Sequence, residues 1–195
     1  MAKKKVLEMP TSSDLEKELE RVKYNSRYGR TLRSTIFTLI SVAAIAVLIS
    51  MLLLPVLQIY GSSMSPTVSD GDVVIAMKRA KFEQGDVIAF YYNNKILIKR
   101  VIAHTGDWID IAEDGTVYVN NEELKEPYLN EKAFGETNIK LPYQVPEGKI
   151  FVMGDHRSVS IDSRNTSVGC VSEEQIVGKV WIRVWPLELF GQLNK

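Results

Sequence analysis

Between Arg33 and Asp70 the chain carries no charged side chain. Inside that gap lies IFTLISVAAIAVLISMLLL, residues 36–54, whose only polar members are Thr38, Ser41 and Ser50. At about 1.5 Å per residue such a helix nearly spans a hydrocarbon layer of ~30 Å, and the uncharged flanks complete it. A cleaved secretory signal has an apolar run of roughly 7–15 residues behind a short basic leader. Here 33 residues precede a longer run, so the sequence predicts a retained transmembrane anchor over 34–58, with Pro55 ending or kinking its helix.

Charge orients that anchor. Residues 1–33 hold nine Lys/Arg against five Asp/Glu, and Lys23, Arg27, Arg30 and Arg33 crowd the anchor's N-terminal side. The first basic residue beyond it is Lys78. The positive-inside rule then predicts a single-pass protein of the cell membrane, with 1–33 cytoplasmic and 59–195 extracytoplasmic. Within the first segment, SSDLEKELERVK reads as a solvated helical arm, with Ser12 or Ser13 as cap and Leu15, Leu19 and Val22 on one face.

The rest of the chain is globular in composition. Of 195 residues, 45% are apolar and 25% charged, and Lys+Arg balances Asp+Glu at 24 each, which gives no reason to expect a nucleic-acid partner. One cysteine, Cys170, excludes an intrachain disulfide. A domain of about 135 residues buries enough surface to fold without one, so an extracytoplasmic location stands.

After residue 60, short β-rich runs recur between turn signals: DVVIAMK, DVIAFYY, KILIKRVIAH, WIDIA, TVYVN, KIFVMG and KVWIRVW. Gly-Asp pairs at 71–72, 85–86 and 106–107 punctuate them, and Asn120-Asn121 fits a tight hairpin turn. The expected fold is an all-β, largely antiparallel domain behind the anchor. Residues 122–149 contain three prolines, Gly135, Gly148 and little periodicity, and read as a long, loosely built excursion.

Three segments carry chemistry. The first, QIYGSSMSPT at 58–67, begins where the anchor ends and holds two adjacent serines in a turn marked by Gly61 and Pro66. Alone it also reads as an ordinary connecting loop, because serine needs a base to become a nucleophile. The second is ILIKRVIA. Strand alternation puts Leu97, Lys99 and Val101 on one face and Ile98, Arg100 and Ile102 on the other. Burial between apolar neighbours disfavours an ammonium, and a neutral lysine can take a serine proton. The bland reading is a lysine whose stem packs while its head reaches water. The third, VMGDHRSVSIDSR at 152–164, packs Asp155, Arg157, Ser160, Asp162 and Arg164 into a Gly-led turn. Carboxylates and guanidiniums at this density can brace a loop as ion pairs, or simply decorate a surface turn. A Ser–His–Asp arrangement through His156 and Asp155 is disfavoured, because adjacent side chains on an extended chain diverge. No metal-binding pattern accompanies the two histidines.

SMSPT at 63–67, GDVVIAMK at 71–78, IKRVIAHTGD at 98–107 and GDHRSVSIDSR at 154–164 resemble, in order, the conserved boxes of bacterial type I signal peptidases. The short excursion resembles the compact Gram-positive form. The resemblance implies a signal peptidase/LexA-like β core with a β-rich extension behind one transmembrane helix. It implies a Ser/Lys serine endopeptidase that removes signal peptides from exported preproteins after Ala-x-Ala type sites, with no metal or other cofactor. Ser63 is then the nucleophile and donates its backbone N–H to the oxyanion. Lys99 is the general base, and Ser160 hydrogen-bonds and orients it. Asp162 with Arg164, and Asp155 with Arg100, support the turn. Strands around Gln58, Ile59 and Tyr60 and around Ile96, Leu97 and Ile98 flank an extended substrate, together with Met64, Met153 and Gly154.

There are three departures from the family pattern. Gly61 stands where some relatives carry a serine as second oxyanion donor, which leaves that donor missing or replaced, with Ser62 as the nearby candidate. Val159 replaces a frequent Asn, and His104-Thr105 replaces Leu-Pro. Among other Ser–Lys hydrolases, LexA-type repressors lack a membrane span, and no serine here has lysine three residues later as in penicillin-binding enzymes. A non-catalytic anchored β-domain that binds a partner at the membrane surface is the alternative from another class. It requires Ser63 and Lys99 to be dispensable.

Overall fold

The computed structural model describes residues 11–193, with the side chains of Asp14, Asn25 and Ser26 outside the description. The first ten residues of the predicted basic segment therefore lie outside the described residues. The chain divides into two compact units, one ending at Ser50 and the other beginning at Met51.

Helix α1 spans Ser12–Leu53 without a break. The Leu15 N–H donates to the Thr11 carbonyl at 3.2 Å, so Thr11 holds the cap position and Ser12 and Ser13 fall in the first turn. Forty-two residues make a rod of about 63 Å. Leu15, Leu19 and Val22 are exposed, as are the apolar side chains from Ile36 to Leu53 that the structure describes. By length and composition α1 can cross a membrane, and it is the one described helix that can. It ends two residues before Pro55, whose ring disfavours helical backbone at the residue before it.

The second unit is antiparallel throughout. Its strands are β1 (Val56–Gln58), β2 (Val73–Met77), β3 (Val87–Tyr92), β4 (Lys95–Ala103), β5 (Trp108–Ile111), β6 (Val117–Val119), β7 (Glu122–Glu123), β8 (Tyr143–Gln144), β9 (Lys149–Met153), β10 (Val171–Ser172), β11 (Ile176–Trp185) and β12 (Gly191–Gln192). Eight form the main sheet in the order β1-β2-β11-β3-β4-β9-β10, with β12 paired to β11; β7-β6-β5-β8 form the smaller one. The seven β-rich runs of the sequence become β2, β3, β4, β5, β6, β9 and β11. β1 occupies 56–58, inside the stretch assigned above to the anchor. Val56 and Leu57 prolong the apolar run, so composition hides the switch from helix to strand and only Pro55 marks it.

Asn120 and Asn121 adopt φ of 52° and 67° and join β6 to β7 in the two-residue turn expected there. Ile102, Ile109, Val117 and Phe151 centre a core cluster that the excursion joins through Leu124, Phe134, Ile139 and Leu141. The excursion has little regular backbone, yet its apolar side chains fix it to the core.

Candidate active site

Three segments meet around Lys99, midway along β4. The first is the loop from Ile59 to Asp72, closed at its neck by hydrogen bonds from the Ile59 N–H to the Asp72 carbonyl (2.8 Å) and from the Gly71 N–H to the Ile59 carbonyl (3.0 Å). Gly61 sits at φ +90°, a conformation that side chains resist, and donates its N–H to Asp70 Oδ1 at 2.7 Å. Met64 and Val68 are buried and pin the loop to the core, which leaves Ser63 half-buried beside them.

Lys99 comes from β4. Its alternation neighbours Leu97 and Val101 join Ile88, which lies directly across from Lys99 on β3, in one apolar cluster. The lysine is 3% exposed, and its Nζ donates to Ser63 Oγ at 2.7 Å. Burial lowers its pKa from the usual 10.5 to about 8; Asp162 pulls it back up, Arg164 lowers it and Asp155 raises it.

Why the nearby carboxylates do not rescue the ammonium follows from their own partners. Arg100 donates from Nε to Asp155 Oδ1 at 2.8 Å and from Nη2 to Oδ2 at 2.6 Å. Arg164 grips Asp162 the same way, with both contacts at 2.9 Å. All four side chains are fully buried. Each carboxylate is thus neutralised by a guanidinium in fork geometry, and among the described residues Lys99 forms no salt bridge. Burial pushes the Asp162 carboxyl up, but Arg164, the Gly154 N–H and Ser160 hold it below the usual carboxylate range.

The third segment, Gly154–Arg164, closes the site. The His156 N–H donates to the Ser63 carbonyl at 3.1 Å, and the Gly154 N–H to Asp162 Oδ2 at 2.9 Å. A Cβ on Gly154 would lie 2.5 Å from the Ser63 carbonyl oxygen and 2.5 Å from Ser160 Cβ. Only glycine fits between the serine loop and this turn. The His156 ring approaches the Ser62 carbonyl at 3.3 Å and Asp155 is taken by Arg100, so these residues do not form a triad with Ser63.

Ser160 differs from expectation. Its Oγ is buried, influences Asp162, and meets hydrogen-bond geometry with no described residue, Lys99 included. Gln58, Ile59, Tyr60, Met64, Ile96, Leu97 and Ile98 line a cleft of about 80 Å³ beside Ser63 and Lys99. A wider apolar groove of about 810 Å³ continues from it past Leu57 and Asn94. Met153 does not line the cleft, because it is fully buried in the core with Ile102 and Phe151. Gly154 backs the serine loop from within the protein.

The sequence missed three contributors. Thr67 donates its hydroxyl to Asp155 Oδ2 and accepts from Arg100 Nη2 at 3.0 Å. Tyr128 lays its ring 3.7 Å from the Arg100 guanidinium carbon. Glu126 pairs with the buried Arg157. The charge of Arg157 was visible, but its partner lies 31 residues away in a segment without periodicity.

Residues 32–185 match the family described as signal peptidase, peptidase S26. The chain is 40% identical over 152 residues to signal peptidase IB of Staphylococcus aureus, covering 68% of this chain and 78% of that protein. It is 33% identical over 180 residues to signal peptidase I of Bacillus licheniformis, covering 84% and 94%. The crystal structure of a signal peptidase I from Enterococcus faecalis V583 shares 29% identity over 51% of this chain and 97% of that one, with a TM-score of 0.44. With most of its length matched, this chain belongs to the S26 family of signal peptidases.

Proposed function

We propose that this peptidase removes N-terminal signal peptides from exported preproteins, with Ser63 as nucleophile and Lys99 as general base. It would do so from a single-pass anchor with the second unit outside the cytoplasm. The observation that carries the reading is the 2.7 Å contact between Ser63 and a buried lysine without a carboxylate partner. With a pKa of about 8, about a tenth of the lysine is neutral at pH 7, against roughly one part in three thousand at the usual value.

Neutral Lys99 takes the Ser63 proton as Oγ adds to the carbonyl carbon. The ammonium then returns that proton to the leaving amine as the C–N bond breaks. Water, deprotonated by the same lysine, adds to the acyl-ester, and Ser63 leaves with the proton. Charge on the carbonyl oxygen falls to the Ser63 N–H, which has no acceptor among the described residues. The Gly61 N–H is committed to Asp70.

Substrate geometry follows from the sheet edges. Among the described residues, β1 pairs only with β2, and residues 95–98 of β4 pair only with β3. An extended peptide laid between them gains backbone hydrogen bonds from both sides. The cleft of about 80 Å³ is small beside the roughly 300–1,000 Å³ of ordinary ligand pockets, which favours small side chains before the scissile bond. A common membrane also raises the effective concentration of enzyme and preprotein.

Cleavage of a preprotein with an Ala-x-Ala site tests the reading. Ser63→Ala and Lys99→Ala should each lower kcat/KM by at least about 10²-fold. Undiminished cleavage by either variant removes the dyad.

A further inference from the structure

Glu126-Pro127-Tyr128 lies in the excursion, outside any strand or helix, yet it reaches two fully buried arginines of the site. The Glu126 carboxylate accepts from Arg157 Nη1 at 3.1 Å and also from Nη2; the paired side chains are 0% and 1% exposed. The Tyr128 hydroxyl donates to Glu126 Oε1 at 3.0 Å, while its ring covers the Arg100 guanidinium at 3.7 Å. Burial, then the Glu126 charge, pushes the Tyr128 hydroxyl above its ordinary range, so it stays a donor.

These contacts link the two sides of the reaction centre. Arg100 follows Lys99 on β4. Its guanidinium also takes Gly85 O at 2.6 Å and Thr67 Oγ1 at 3.0 Å, four residues beyond Ser63. Arg157 donates from Nε to the Gly154 carbonyl at 3.1 Å, and Gly154 separates the Ser63 loop from Ser160. Arg100, Tyr128, Glu126 and Arg157 therefore form one chain from the strand of the base to the turn behind the nucleophile. A buried ion pair adds little net stability compared with apolar side chains of equal volume. Its bidentate geometry does fix relative position. A displacement of about 1 Å at reacting groups can cost about 10²-fold in rate.

We propose that Glu126 and Tyr128 are positioning residues that hold β4 and the 154–164 turn where Lys99 Nζ reaches Ser63 Oγ. The inference rests on the dyad reading above. Neither residue touches substrate, so their loss should appear in kcat and not in KM.

The test uses the full chain in detergent micelles with an Ala-x-Ala preprotein, comparing wild type, Glu126→Gln, Tyr128→Leu, Tyr128→Phe and Ser63→Ala. Circular dichroism at the assay temperature measures the folded fraction. Glu126→Gln and Tyr128→Leu should lower kcat per folded enzyme by about 10- to 100-fold with KM within about twofold. Tyr128→Phe keeps the ring over Arg100 but loses the hydroxyl link to Glu126, so its kcat should fall between those of wild type and Tyr128→Leu. Wild-type kcat in folded Glu126→Gln or Tyr128→Leu, or a loss confined to KM, overturns the proposal. If Glu126→Gln does not fold, the Tyr128→Leu and Tyr128→Phe pair decides: equal kcat in the two overturns it. Retained cleavage by Ser63→Ala would instead overturn the dyad, so the two failures are distinguishable.

Discussion

Replacing Gly154 with alanine should damage catalysis more than stability. The added Cβ would sit 2.5 Å from the Ser63 carbonyl oxygen, where ordinary contact begins at 3.4 Å. Backbone must therefore move by roughly 0.9 Å, since the offended atom is not a side-chain tip that can rotate away. Gly154 cannot retreat easily, because its N–H is held by Asp162 and its carbonyl by Arg157. The serine loop gives way instead. Overpacking of this kind costs about 1–3 kcal/mol, or ~2–12 °C of melting temperature at this size. The same shift carries Ser63 away from Lys99 and should lower kcat/KM by about 10²-fold. Preprotein cleavage normalised to the folded fraction separates the two effects. Gly191→Ala is the control, because a Cβ there meets nothing within 4 Å. A folded Gly154→Ala enzyme with wild-type kcat/KM would refute the claim that this glycine sets the spacing between loop and turn.

Lys99 also predicts a stability trend. Its folded pKa of about 8 lies below the usual 10.5, so between those values the unfolded chain binds more protons and stability rises with pH. Below pH 8 the folded state carries the full cost of a buried ammonium, about 3 kcal/mol. Lys99→Met should therefore raise stability most near pH 7 and flatten the rise toward pH 10.5, as read by urea unfolding at several pH values. In the cleft, Ile98→Phe adds bulk to a space of about 80 Å³. It should raise KM about tenfold for alanine-site preproteins with little change in kcat, measured on reporters that vary the residue before the scissile bond.

What could be read from the sequence depended on whether the signal was local. Alternation along β4 placed Lys99 among apolar neighbours, and Asn120-Asn121 announced its turn, because period and turn chemistry are written in adjacent residues. Asp162 and Arg164 stand two apart, but the residues alone left an ion pair or a surface turn open, and only the family resemblance implied that they support the turn together. Contacts across the fold left no such trace. Thr67 meets Asp155 over 88 residues, and Glu126 meets Arg157 from a proline-interrupted segment that reads as loose. Ser160 is the opposite case. Family resemblance implied a lysine contact, whereas the buried hydroxyl meets hydrogen-bond geometry with no described residue and acts on Asp162. A strand near Gln58 came only from the family resemblance, because Val56 and Leu57 of β1 extend the anchor's own apolar pattern.

The most direct test of the Ser63–Lys99 pair is the pH dependence of kcat/KM for preprotein cleavage from pH 5 to 10, which reports ionisations of the free enzyme. The activity should rise with pH along a single acid limb whose midpoint is about 8, where Lys99 loses its proton. A limb near the ordinary histidine value of about 6.5 that vanishes in His156→Ala, or a profile without an acid limb, would contradict a lysine base.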